Sequence, residues 1–205
     1  MYQKIMLTSK RNKVERIIED GKSTICKTFT NAEYLNKEYE ALHYLKQNGL
    51  NVPEIIDSYG NSLILQDLGD NTLLSWYENE EKNNSNNYEE ILYKLCNWLK
   101  QFYHIYLLNN KQNILGDVNY RNFIIYNNEI YGIDFELIRQ GKIEEDAGRL
   151  VAYAMTYEPE DTDWKMNFNT RLVSVLSKEL NLETKIINSE VKKELIAMKE
   201  RRKWR

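Results

Sequence analysis

Residues 122–134 read Asn-Phe-Ile-Ile-Tyr-Asn-Asn-Glu-Ile-Tyr-Gly-Ile-Asp, two apolar runs about the pair Asn127-Asn128. Adjacent asparagines tolerate the positive φ that a two-residue hairpin turn demands. Pairing outward from that turn sets Tyr126 opposite Glu129, Ile124 opposite Tyr131 and Asn122 opposite Ile133. Asn122 and Asp134 then lie side by side at the open end. An amide oxygen and a carboxylate held together suit a hard cation such as Mg2+. Asp117 stands five residues before Asn122, in Leu115-Gly-Asp-Val-Asn-Tyr-Arg-Asn122, so the loop returns a second carboxylate to the same place. The hairpin alone is also open to a reading as polar strand caps. Asp-x4-Asn followed by a hairpin and Ile-Asp-Phe is far more specific.

The residues before this stretch are strand-rich. Gln3 to Leu7 reads as a strand, and Lys13–Ile18 and Ser23–Phe29 flank the turn Glu19-Asp20-Gly21-Lys22 as a hairpin. Thr30-Asn31-Ala32-Glu33 fits a capping box with Thr30 as cap, opening a helix that runs to about Asn48. Val52–Ile56 and Ser62–Gln66 read as two more strands, and the polar run Glu78–Asn87 as a loop. Tyr88 to Leu108 is an amphipathic helix, with Ile91, Leu95, Trp98, Phe102 and Ile105 at spacings of 4, 3, 4 and 3. After the hairpin, helices are expected over about Glu145–Tyr157, Trp164–Leu180 and Ser189 to the end.

Gly116-Asp117-x4-Asn122 followed by Ile133-Asp-Phe-Glu136 resembles the catalytic loop and metal motif of the protein-kinase-like fold. It is most similar to the aminoglycoside phosphotransferase and choline kinase group. The resemblance implies an α+β, two-lobed architecture: an N-lobe antiparallel sheet with one helix (residues 1–68), then a mainly helical C-lobe with a short catalytic hairpin (69–205). It also implies a Lys–Glu pair in the N-lobe. Period two puts Ile25, Lys27 and Phe29 on one face of their strand, and a lysine on an apolar face needs an anionic partner. On the next helix Glu38 falls inside the apolar stripe Leu35, Leu42, Leu45, whereas Glu40 falls outside it. Each residue alone is open to a reading as a snorkelling side chain; together they answer each other's charge.

The resemblance carries further expectations. Asp117 is implied as the base facing an acceptor hydroxyl, Asn122 and Asp134 as ligands of Mg2+, and Lys27, oriented by Glu38, as the grip on the α- and β-phosphates of ATP. Leu63-Ile-Leu-Gln-Asp-Leu-Gly69 looks like the last N-lobe strand entering the hinge, whose backbone at Asp67 and Leu68 would bind adenine. Asp146 is implied as the helix residue that ties down the catalytic loop, a role compatible with N-terminal capping. Leu115 replaces the family's usual His, and Glu136 the Gly of the protein-kinase version. No glycine-rich loop occurs. Thr8-Ser-Lys-Arg-Asn12 stands in its place, so phosphate binding there would use backbone amides, the hydroxyls of Thr8 and Ser9, or Lys10 or Arg11.

Composition narrows the partners. The 205 residues carry a net charge of −3, which disfavours general nucleic-acid binding. Lys199–Arg205 is basic, either as a helix end favoured by the macrodipole or as a docking tail for an acidic partner. Cys26 and Cys96 make neither a disulfide framework nor a zinc site. No apolar run approaches the roughly 18 residues of a membrane span, and the start MYQKIMLTSKRNK lacks a signal-type core, so a soluble, cytoplasmic protein is expected. The expected acceptor is a small-molecule hydroxyl, on an amino sugar or choline-like alcohol. The acidic run Glu158–Asp163 is either an attractor for a cationic acceptor or a solvated loop. The alternatives are a minimal atypical kinase, Rio-like or lipopolysaccharide-kinase-like, acting on a protein or sugar, and a catalytically silent nucleotide-binding scaffold.

Overall fold

Five strands build the N-lobe sheet: Tyr2–Leu7 (β1), Lys13–Glu19 (β2), Lys22–Thr28 (β3), Ile55–Tyr59 (β4) and Ser62–Gln66 (β5). All neighbours are antiparallel, in the order β1-β2-β3-β5-β4. The computed structural model describes residues 2–109 and 111–203. The β2–β3 hairpin forms over the turn residues expected, with Asp20 and Gly21 both at positive φ. The helix Ala32–Gln47 (α1) covers the sheet with Ala41, Leu42 and Leu45, which join Phe29, Val52, Leu63 and Leu65 in the core.

Two N-lobe expectations are corrected. The cap of α1 is Asn31, not Thr30: Asn31 Oδ1 accepts from Glu33 N at 2.8 Å. An Asx side chain reaches the amide two residues on, which removes the need for Thr30. The fourth strand is Ile55–Tyr59 rather than Val52–Ile56. Pro53 has no N–H to give a ladder, and Val52 is instead fully buried in the core.

The C-lobe comprises helices Leu73–Lys82 (α2), Glu89–Leu107 (α3), Ile143–Thr156 (α4), Asp163–Glu179 (α5) and Thr184–Lys203 (α6). Two short hairpins accompany them, Asn113–Ile114 (β6) with Arg139–Gln140 (β9) and Phe123–Tyr126 (β7) with Glu129–Gly132 (β8). The β7–β8 register is the one derived from sequence, Ile124 to Tyr131 and Tyr126 to Glu129, with Asn127 and Asn128 at φ 50° and 62°. The stripe of α3 is buried as its periodicity requires. The polar run expected as a loop from Glu78 is helical to Lys82. Its charged face concealed an anchor: Leu73, Leu74 and Tyr77 are buried, Thr72 Oγ1 caps Ser75 N at 3.0 Å, and Glu81 pairs with Lys165.

Lys165 is 1% exposed, with its ammonium also over the Tyr77 ring at 5.4 Å. Removing one partner of a buried ion pair strands the other charge, at a cost of about 3–5 kcal/mol. Glu81→Ala is therefore expected to destabilise the fold by about 3 kcal/mol, or roughly 6–12 °C in Tm. Thermal unfolding checks this; a shift under 2 °C would show the pair to be dispensable.

Helix α6 lies close against α4 because Gly148 has no side chain; a β-carbon there would sit 2.9 Å from Val191 N. Lys199–Lys203 continue α6, where Arg201 pairs with Glu194 at 2.5 Å and Lys203 with Glu200 at 2.6 Å. The last two tail residues, Trp204 and Arg205, lie outside the described residues. Among the described residues no helix is long and apolar enough to cross a membrane.

Candidate active site

The two lobes meet over Lys27. Strand β3 points its side chain off the sheet toward α1 and the segment after β8. Its ammonium lies 3.2 Å from Glu38 Oε1, 2.8 Å from Asp134 Oδ1 and 3.8 Å from Glu136 Oε2. Glu38 also accepts the backbone N–H of Phe135 at 2.7 Å, so one N-lobe carboxylate holds both the lysine and the C-lobe backbone. Burial works against the Lys27 ammonium, but the surrounding carboxylates outweigh it and hold the group above its ordinary value. Burial pushes the Glu38 carboxyl up, opposed by Lys27.

A second bridge joins the lobes. Glu136, 2% exposed, accepts from Arg11 Nη1 at 2.7 Å and from Asn12 Nδ2 at 2.6 Å. Both donors come from the β1–β2 loop, where a glycine-rich loop was absent from the sequence. Thr8 and Ser9 are exposed on that loop, and Ser9 Oγ accepts from Asn12 N at 3.4 Å. Asp67 follows β5 with its carboxylate tied to Arg16 Nε at 2.6 Å, Ser23 Oγ at 2.5 Å and Gly69 N at 2.9 Å; Leu68 is buried. Burial opposes these donors, yet they hold Asp67 below the usual carboxylate range.

The loop 115–122 is shaped by α4. Asp146 accepts Leu115 N at 2.7 Å and Gly116 N at 3.1 Å, with Tyr103 Oη donating at 3.1 Å. Burial pushes the Asp146 carboxyl up to about 6, against the pull of those donors. Arg149 donates to the Gly116 carbonyl and to Glu194 of α6. Gly116 sits at φ +76°, and a β-carbon there would meet Leu137 O at 2.5 Å, so no other residue fits before Asp117. Leu115, at the place of the usual His, is buried in the core. Asn122 Nδ2 donates to the Asp117 backbone carbonyl at 3.3 Å, and the Asn122 backbone carbonyl accepts from Ile133 N at 2.9 Å, one residue before Asp134.

Lys27, Glu38 and Asp134 thus touch directly, and Asn122 links Asp117 to the end of the hairpin. Asp67 and Leu68 stand apart from this group, by the Thr24–Gln66 end of the β3–β5 ladder. Sequence reasoning missed Asn12, Arg16, Arg149 and Tyr153, whose hydroxyl donates to Asp117 Oδ1 at 3.3 Å. The last two had a signal: with Asp146 they step by 3 and 4 along one helix face.

One oxygen from each of Glu38, Asp134 and Glu136 lies within 4.8 Å of the others. Hard oxygen donors of this kind fit a divalent cation such as Mg2+. Asn12 Oδ1, buried and without a partner, is a further oxygen beside Glu136. The charge these carboxylates require is supplied in this arrangement by Lys27 and Arg11.

Residues 3–141 match the RIO domain family. The chain belongs to that family. The match is not specifically to the aminoglycoside phosphotransferase and choline kinase group. No curated protein matches the chain. Among solved structures it is similar to "Amicoumacin kinase hAmiN in complex with AMP-PNP, Ca2+ and Ami", at 14% identity and TM-score 0.59, over 88% of this chain and 72% of that one. This likeness shows a shared fold. General ATP-dependent phosphotransfer is consistent with the RIO domain and with that fold.

Proposed function

We propose that this RIO-domain chain is an ATP- and Mg2+-dependent phosphotransferase that moves the γ-phosphate of ATP to a hydroxyl of a small molecule, of the amino sugar or choline-like class. The observation that carries the reading is the Lys27–Glu38–Asp134 contact between the lobes. A lysine held protonated by two carboxylates on opposite lobes is a preset grip for phosphates, which exchange with Asp134 as its partner.

In this reading adenine lies against the backbone at Asp67 and Leu68, where residues 1–68 give way to 69–205. Lys27 pairs with Leu63 while Thr24 pairs with Gln66, three residues along the ladder. At about 3.3 Å per residue that is about 10 Å, a span suited to the reach from base to phosphates. Asn122 and Asp134 would hold Mg2+, which would neutralise charge on the phosphates. The β1–β2 loop, with Thr8, Ser9 and Arg11, covers the phosphates. Asp117 takes the proton of the acceptor hydroxyl, and Asp146 keeps its loop in shape.

The small-molecule acceptor is supported by the fold shared with an amicoumacin kinase. The RIO match favours a second reading, a protein or sugar acceptor. A MgATP turnover screen over amino sugars, choline-like alcohols, sugar nucleotides and generic proteins separates them. ADP release stimulated by a small alcohol is expected. Nucleotide binding with no turnover across the panel would instead make the chain a silent scaffold.

A further inference from the structure

The Asp117 carboxylate is not free to turn. Both hydrogen bonds it accepts among the described residues fall on one oxygen: Asn119 N reaches Oδ1 at 3.1 Å, and the Tyr153 hydroxyl reaches the same Oδ1 at 3.3 Å. These donors come from different elements, the loop itself and helix α4. Swinging the carboxylate breaks both bonds at once.

Tyr153 belongs to a series. Along α4 and its C-terminal cap, Asp146 binds Leu115 N and Gly116 N, Arg149 binds Gly116 O, Tyr153 binds Asp117 Oδ1, and Tyr157 accepts from Tyr120 N at 3.1 Å. Successive turns of helix hold successive residues of the loop. Only the Tyr153 bond ends on the side chain of Asp117. The phenol is a lasting donor: burial, with the Asp117 charge beside it, pushes it up to about 12.

We propose that Tyr153 is a positioning residue that pins Oδ1 of Asp117 and so presents Oδ2 to the acceptor hydroxyl. The proposal rests on the reading of Asp117 as the base. A reacting proton must meet its acceptor within hydrogen-bond distance and in line, and a carboxylate fixed beforehand gives up no rotational freedom at that moment. Tyr153 lies beyond residues 3–141, the part matched by the family.

Tyr153→Phe tests this in the full chain. The substitution removes one oxygen and leaves the ring stacked on Tyr157, whose centroid is 6.2 Å away. Turnover is measured with the best acceptor of the screen and with water, as MgATP hydrolysis. The expected result is kcat lower by about 10- to 100-fold, with KM for ATP within about twofold and Tm within about 2 °C. A purely structural role would move KM and Tm along with kcat, and that outcome would overturn the proposal. Asp117→Asn is assayed beside it. If Asp117→Asn is inactive and Tyr153→Phe turns over at the wild-type rate, Tyr153 has no such role and the base survives. If Asp117→Asn itself keeps the wild-type rate, the base assignment falls and the proposal with it.

Discussion

Asp117→Asn is expected to lower turnover by about 10²–10⁴ while MgATP still binds. The amide keeps the size of the carboxylate and can still accept from Asn119 N and the Tyr153 hydroxyl, which reach Oδ1 at 3.1 and 3.3 Å. It has no basic oxygen for the proton of an acceptor alcohol. Positioning and charge neutralisation, which supply most of phosphoryl-transfer catalysis, stay in place. That is why activity is lost without loss of binding. The measurement is steady-state turnover beside thermal stabilisation by MgATP. Wild-type turnover in the variant would remove Asp117 from the mechanism.

The second large effect is on binding. Saturating MgATP at about 100 times Kd stabilises a protein by about 2.7 kcal/mol, or roughly 5–11 °C in a chain of this size. Asp134→Ala is expected to abolish the Mg2+-dependent part of that shift, so that ATP with Mg2+ stabilises no more than ATP with EDTA. Asp134 is the most accessible of the three carboxylates around Lys27, with its side chain 35% accessible against 2% and 1% for Glu38 and Glu136. It is therefore the one best placed to exchange Lys27 for a metal ion. An unchanged MgATP shift in Asp134→Ala would contradict its assignment as a ligand.

Much of this architecture was legible because its signals are local. The β7–β8 register follows from two asparagines that accept positive φ, and the α3 stripe from its 3.6-residue period. Lys27 and Glu38 were visible as charges on apolar faces. Helix α2 was not legible, since its polar run carried the expectation of a loop and its anchor, Lys165, is 84 residues from Glu81. The β1–β2 loop was read as a phosphate-binding loop through backbone amides, the hydroxyls of Thr8 and Ser9, or Lys10 or Arg11; that Arg11 and Asn12 reach Glu136, 125 and 124 positions away, was not visible. A long side chain in a loop has no periodicity to say where it lands.

By itself the sequence determined most of the elements, α2 excepted, the hairpin register and which residue types carry chemistry, because turn propensity and alternation act over a few neighbours. Beyond the Lys27–Glu38 pair and the hold of Asp146 on the loop, which were expected, tertiary structure alone decided their partners. Three carboxylates share Lys27, Asp67 is tied to Arg16, and one face of α4 holds the loop 115–120. Each of these contacts joins segments distant along the chain, and its strength depends on burial, which no local pattern records.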